Sequence, residues 1–230
     1  HRDLHRLIRR QRQMCIRDSL YRFSLEPLDV EDWAPEPVKL AAEAAKAMGV
    51  GPMAAVPGAL AELAMKAMAQ TNAKVGIIED GGEIAAFSDR PVTIAVYAGD
   101  SPLSGRVGFQ LEAEEMPVGI ATSSATVSLA VNFGVADAAV VVADSPTIAD
   151  AAAKAVCNAV TGETVEEAVE KGLQKAKEIS GIRGALIILK DHIGLTGHLP
   201  KLVMIQGKAS DVLKATLHTE IEFSPPSAQI

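Results

Sequence analysis

Helical and strand-like spacings of apolar residues divide this chain into blocks. Residues 21–37 hold Pro27, Pro35 and Pro37 among many acids and read as an extended lead-in. From Val38 the positions Leu40, Ala41, Ala44, Ala45 and Met48 recur at helical spacing until Gly49, with Pro37 suited to the first turn. A helix stopped by a glycine is therefore predicted. After a turn at 49–53 a second helix is predicted, with Leu60, Leu63, Ala64, Ala67 and Met68 on its apolar face. Both segments are alanine-rich and adjacent, so close packing between them follows.

From Lys74 the period changes. Short apolar runs at 75–78, 84–87, 92–97 and 107–111 are separated by Asp80-Gly81-Gly82, Asp89-Arg90-Pro91 and Gly99-Asp100-Ser101-Pro102. Turn signals at that spacing predict an antiparallel meander. A further strand is expected at 117–122, and the uninterrupted run 138–143 (AAVVVA) predicts a strand buried on both faces. An alanine-rich helix is predicted over 147–160. The box Thr164-Val165-Glu166-Glu167 opens a second helix, running to about Ser180. Gly181 and Gly184 lead into a strand at 185–189, and edge strands are expected at 201–205 and about 214–223. Clustered helices and runs of strands argue for an α+β domain rather than alternating βαβ units.

Composition narrows the class. Hydrophobic residues make up 48% of the 230 and charged ones 22%, enough for a sizeable core in one domain. No run approaches the roughly 20 apolar residues of a membrane span. The two cysteines, Cys15 and Cys157, form neither a disulfide framework nor a metal spacing, which fits a cytoplasmic setting. Cys157, in an Ala/Val-rich run, reads as a small core residue.

The net charge of −7 is unevenly spread. Residues 1–20 carry six arginines against two aspartates, a local charge of +4, which leaves −11 on the rest. An acidic body lacks the clustered positive charge that nucleic acid requires. The basic segment reads either as an arm for nucleic acid or membrane surfaces or as a stretch foreign to the domain, and the second is the expectation. The domain is accordingly expected over 21–230, truncated at its N-terminal side.

Three segments place polar or glycine-rich clusters after an apolar element. In Glu79-Asp80-Gly81-Gly82-Glu83, paired glycines permit close approach to a phosphate or ribose, and the flanking carboxylates suit a metal or a sugar hydroxyl. The same residues also describe a two-residue hairpin with a solvated acidic rim. In Thr122-Ser123-Ser124-Ala125-Thr126, four hydroxyls at a strand end suit an anion or nucleotide, although such runs are common in loops. In Asp144-Ser145-Pro146-Thr147-Ile148-Ala149-Asp150, a buried strand delivers Asp144 to a turn, Ser145 or Thr147 caps the next helix, and Asp150 lies in its first turn. Lys154, at i+4 from Asp150, would ordinarily make a modest surface pair with it. His192 and His198 flank Gly194-Leu195-Thr196-Gly197 in what reads as a solvated loop. Neither a nucleophile elbow nor a Gly-rich dinucleotide or P-loop motif occurs.

Six segments together resemble the UPF0280 family: GVGPMAAVPGALAELA (49–64), DGGEIAAFSDR (80–90), IAVYAGDSPL (94–103), GIATSSATVS (119–128), ADAAVVVADSPTIADAAAKAVCNAV (136–160) and GIRGALIILKDHIGLTG (181–197). That family is similar to the ApbE group, which uses FAD and Mg²⁺ to move an FMN moiety onto a protein Thr, or hydrolyses FAD. The parallels are Gly81-Gly82-Glu83, Ala121–Ser123 and Ala149-Asp150-Ala151. The resemblance implies an ApbE-like fold of antiparallel or mixed sheets carrying Ala-rich helices. It also implies a site for FAD, FMN or another small phosphorylated ligand, lined by Asp80, Gly81, Gly82, Glu83, Thr122, Ser123, Ser124, Thr126, Asp144 and Lys154.

Asp150 takes the place of a metal ligand in that resemblance, and Lys154 stands where ApbE enzymes carry a second, threonine ligand. An ammonium has only donors and cannot ligate Mg²⁺. Ala125, Glu83 and Asp80 also depart from the common Gly, Asp and Asn. The readings that stay open are ligand binding, Mg²⁺-dependent FMN transfer or FAD cleavage, and an accessory role in sulfur assimilation toward homocysteine. Partners are expected to be small molecules and a second copy in a homodimer, without nucleic acid or membrane.

Overall fold

The computed structural model describes residues 20–128 and 130–205. Helix α1 (Glu36–Met48) carries Pro37 in its first turn and ends at Gly49, whose φ of 70° suits a residue without Cβ. Its buried face is almost entirely alanine. A 3₁₀ turn (Pro52–Ala55) leads directly into α2 (Val56–Ala69).

The buried face of α2 differs from the one its spacing suggests. Gly58, Ala59, Ala61, Glu62 and Met65 are buried, whereas Leu60 is 47% exposed and Ala64 and Ala67 face solvent. Apolar residues surround this helix on every side, so hydrophobicity does not select a stripe. Close approach at Gly58 and polar contacts at Glu62, described below, select it instead.

Strands β1 (Val75–Asp80) and β2 (Glu83–Ser88) form a hairpin closed by Gly81 and Gly82, both at positive φ. The expected meander stops there. β2 pairs next with β5 (Val118–Ser123), while β3 (Val92–Ala95) and β4 (Val107–Leu111) join β9 (Lys201–Met204) in a separate three-stranded sheet. The larger sheet runs β1-β2-β5-β6-β7-β8, with β6 (Ala138–Ala143), β7 (Ile182–Leu189) and β8 (His192–Gly197), and all its pairings are antiparallel.

This division covers both faces of the large sheet. Val141, Ala139 and Ile187 pack under α1, α3 (Pro146–Ala159) and α4 (Val165–Glu178), whereas Val140, Val142, Leu186 and Ile188 pack against Phe109 and Leu111 of the small sheet. β6 is buried along its whole length, as its uninterrupted apolar run requires. The chain is thus α+β, with antiparallel sheets and alanine-rich helices on one face.

The loop expected around Gly194–Gly197 is strand β8. Gly194 lies under α4, where a Cβ would come within 2.4 Å of Val169 Cγ1, so its glycine serves packing rather than a turn. Ser145 caps α3 and Thr164 caps α4, each hydroxyl accepting a backbone N–H three residues on. No single described helix is long and apolar enough to cross a membrane; the pair Glu36–Met48 and Pro52–Ala69 passes by length and composition, with a bend of 105°. Residues 1–19 of the basic segment (1–20), Cys15 among them, and the strand expected at about 214–223 lie outside the described residues.

Candidate functional site

The strand register decides which side chains share a face. Glu83 lies opposite Asp80 on β1 and opposite Ala121 on β5. Side chains alternate along a strand, so Glu83 and Ser123 point to the side of Ala85 and Ala121, which pack against the helices. The hairpin tip meets the end of β5 directly: the Thr122 amide donates to Gly82 O at 3.2 Å. Glu79 Oε1 accepts from the Gly82 amide at 2.9 Å and steadies the turn.

Asp150 comes to the same face from α3. It is 6% exposed, and its Oδ2 accepts from the Gly58 amide at 2.8 Å, one of the N–H groups left free in the first turn of α2. Burial raises the Asp150 acid to about 7, against the lowering effect of Gly58 and Lys154, with Asp80 adding to the rise. Glu83, 9% exposed, is raised to about 9 by burial, by Asp150 and by Asp80, and accepts no hydrogen bond from another residue among the described ones. The hairpin, the end of β5 and the start of α3 therefore converge, and their acids repel one another.

Lys154 does not pair with Asp150 as an i,i+4 surface contact would. Its Nζ donates to Val131 O at 3.1 Å and to Asn132 Oδ1 at 2.7 Å. Burial lowers its pKa, while Cys157, Asp150 and Glu83 oppose that shift. Asn132 Oδ1 also accepts from Ser123 Oγ at 3.2 Å, and its amide nitrogen donates to Ser124 O and Ala130 O. Asn158 Oδ1 accepts from the Phe133 amide at 2.9 Å. Together these contacts hold the segment after β5 against α3.

Several expected site residues lie elsewhere. Thr122 alternates to the opposite face, across from Val140 and toward the small sheet. The Ser124 hydroxyl accepts from the Thr126 and Val127 amides and closes its own turn. Thr126 Oγ1 donates to Asp137 Oδ1 at 3.0 Å, away from Asp150. Asp144 is at the far end of β6: Ser123 pairs with Ala139 and Gly119 with Ala143, so the strand's length separates them. Its carboxylate, 86% exposed, pairs with Arg183 at 2.6 Å. Asp80, Gly81, Gly82, Glu83, Ser123, Asp150 and Lys154 remain together.

Glu62 was not singled out by the sequence. It is 8% exposed, and Oε2 accepts from Ser145 Oγ at 2.6 Å, Thr147 Oγ1 at 2.6 Å and the Thr147 amide at 3.2 Å; Lys66 reaches Oε1 at 2.7 Å. Burial pushes this acid up, but the four hydrogen bonds prevail and bring it to about 2. A lone carboxylate in an otherwise apolar helix was the available signal.

Among the described residues, no three His, Cys, Asp or Glu side chains come together in an arrangement to hold a metal ion. Mg²⁺ is commonly held by only one or two carboxylates together with substrate phosphates and water. Asp150 and Glu83 are hard oxygen donors in need of a compensating positive charge, and in that sense they fit such an ion.

A family profile described as AbpE bacteria matches residues 2–195, a span that takes in most of the basic segment expected to be foreign. A UPF0280 protein of Methanocaldococcus jannaschii is 48% identical over 77% of this chain and 72% of its own. Another, from Methanosarcina acetivorans, is 39% identical over 86% of this chain and 77% of its own. Among solved structures, the apo flavinyl transferase ApbE of Pseudomonas stutzeri is 19% identical with a TM-score of 0.44, over 72% of this chain and 50% of that one. The flavin transferase ApbE of Vibrio cholerae is 16% identical with a TM-score of 0.41, over 74% of this chain and 63% of that one. This chain thus spans half to somewhat under two thirds of those two solved chains. The profile and the curated relatives, each matching most of the sequence, establish that the chain belongs to the AbpE bacteria family and is a UPF0280 protein.

Proposed function

We propose that the chain binds a flavin nucleotide, or another small molecule bearing a phosphate, where the Asp80–Glu83 hairpin, Ser123 and the first turns of α3 meet. The observation that carries this reading is Glu83: a buried carboxyl with no hydrogen-bond donor from another residue, beside a second buried acid and the half-buried Lys154. Buried carboxyls are ordinarily paired or hydrogen-bonded. Among the described residues the Glu83 carboxyl is answered by its own backbone amide and by no other residue, so a ligand hydroxyl, or a cation arriving with a ligand, would add a partner from outside the strand. The Lys154 ammonium would donate to phosphate oxygens, and the Gly81-Gly82 backbone would allow them close approach. The resemblance of Gly81-Gly82-Glu83, Ala121–Ser123 and Ala149-Asp150-Ala151 to the ApbE group favours flavin as the ligand class.

If Mg²⁺ accompanies the ligand, Asp150 and Glu83 would hold it and it would neutralise phosphate charge. Flavin titration with and without Mg²⁺ tests the reading, by quenching of flavin fluorescence and by thermal shift. Saturable binding that raises the melting temperature supports it. No binding and no shift at saturating FMN or FAD overturns it.

A catalytic reading, Mg²⁺-dependent transfer of FMN or cleavage of FAD, uses the same site with Asp150 as the metal ligand. Chromatographic detection of FMN formed from FAD and Mg²⁺, abolished in Asp150→Ala, distinguishes it from binding alone. The sulfur-assimilation reading gains no support from Cys157, which is fully buried with its thiol pKa raised.

A further inference from the structure

Polar contacts join helix α2 to α3 at two points one turn apart. At Gly58 the backbone amide reaches Asp150 Oδ2, and at Glu62 the carboxylate reaches Ser145 and Thr147. Ser145 Oγ, while donating to Glu62, also accepts from the Ile148 amide at 3.2 Å and so caps α3. Glu62 therefore holds the N-cap hydroxyl, a hydroxyl of the first turn and an amide that has no partner within the helix.

Two contacts spaced by a turn fix both the slide and the rotation of one helix on another. The Gly58 contact alone fixes only one polar point of the crossing, and the apolar packing of alanine faces beside it has little directional preference. We propose that Glu62 is a positioning residue: by clamping the first turn of α3 onto α2, it sets where Asp150 stands against the Gly58 amide and Glu83. This assignment rests on reading the carboxylate cluster as a ligand site. Glu62 itself makes no hydrogen bond to Asp80, Glu83, Ser123, Asp150 or Lys154; its partners are Ser145, Thr147 and Lys66. Its charge is matched by Lys66 on the same helix, so the clamp does not depend on a bound ligand.

The Gly58 amide is the probe, because its hydrogen bond reports the position of Asp150 directly. In ¹⁵N-labelled full-length chain, Glu62→Ala is expected to move the Gly58 amide proton upfield and to speed its exchange about tenfold relative to the Met65 amide on the same helix. Glu62→Gln retains an acceptor oxygen for Thr147 and is expected to restore most of the wild-type signature. Thr147→Val removes one rung from the other side without altering Glu62, and is expected to shift the same resonance in the same direction; it decides the matter if Glu62→Ala fails to fold. A merely stabilising role would lower the melting temperature and raise exchange evenly along α2. A Gly58 resonance unmoved in a folded Glu62→Ala or Thr147→Val chain overturns the assignment. FMN titration of the wild-type chain runs alongside: absence of binding removes the ligand reading, and the Gly58 amide still decides whether Glu62 positions Asp150.

Discussion

A Cβ placed on Gly58 would lie 2.7 Å from the Cβ of Asp150 and also 2.7 Å from the carbonyl oxygen of Pro146. Helices α2 and α3 therefore cross where a hydrogen fits and a methyl does not. The same approach brings the Gly58 amide to Asp150 Oδ2, so packing and charge placement are one contact.

Gly58→Ala tests it. Alanine favours a helix over glycine by about 1 kcal/mol. Against that, forcing a methyl into a packed crossing costs about 1–3 kcal/mol. Pro146 contributes a backbone atom that cannot swing away, so overpacking is the larger effect. With the overpacking cost in the upper part of its range, about 2–3 kcal/mol, net destabilisation of about 1–2 kcal/mol is expected, read as a lower urea midpoint at unchanged slope. A midpoint equal to or above the wild-type value contradicts the described crossing.

The separation of Asp144 from the cluster gives a clean contrast. Asp144→Asn removes an ion pair from an exposed carboxylate, while Arg183 keeps its bonds to Glu115 O and Pro117 O. The expected stability loss is at most about 1 kcal/mol, with FMN affinity unchanged. Glu83→Gln is expected to change FMN affinity in the same titration. Equal effects from both variants would place the site elsewhere.

Much of this arrangement was legible in the sequence, and the misses have physical causes. The β6 run and the two capping hydroxyls at Ser145 and Thr164 specify their elements locally, and the structure agrees. Partner choice between strands is not local. Nothing in the 92–97 and 107–111 runs says that they leave the first sheet to cover Ile120 and Val140 from beyond. Phase within a strand is similarly invisible to a count of hydroxyls: Ser123 faces Asn132 while its neighbour Thr122 faces the other way. Glu62 and Asn132 escaped because their partners lie far off along the chain, in the 145–147 turn and on Lys154.

Lys154 ties α3 to the segment after β5. Lys154→Met removes donors from Val131 O and Asn132 Oδ1 and withdraws the positive charge that lowers Asp150. A hydrogen bond from a charged donor contributes about 1.5–3 kcal/mol when well buried, and this ammonium is half-buried, so a loss of about 1–2 kcal/mol is expected. Exchange of the Asn132 side-chain amide, which donates to Ser124 O and Ala130 O, should speed up more than that of the Phe133 backbone amide, which keeps its bond to Asn158. A uniform change in the two would show that the lysine does not hold that segment.

The acids of the two helix-facing clusters pull stability in opposite directions with pH. Glu62 is held at about 2, below its ordinary 4.5, so its contribution is present above about pH 4.5 and is lost as pH falls toward 2. Asp150 and Glu83 are raised, to about 7 and about 9 from 3.8 and 4.5. Between those limits the folded chain binds more protons than the unfolded one, so stability falls as pH rises from about 5 to 9. Glu83→Gln removes one of the two raised acids while keeping its shape. In EDTA, without ligand, the variant is expected to exceed the wild type by roughly 1–3 kcal/mol at pH 8 and to show a shallower decline with pH. Urea unfolding at half-unit intervals from pH 5 to 9 measures both, and parallel curves for the two proteins would mean that Glu83 gives up its proton as readily in the folded chain as in the unfolded one.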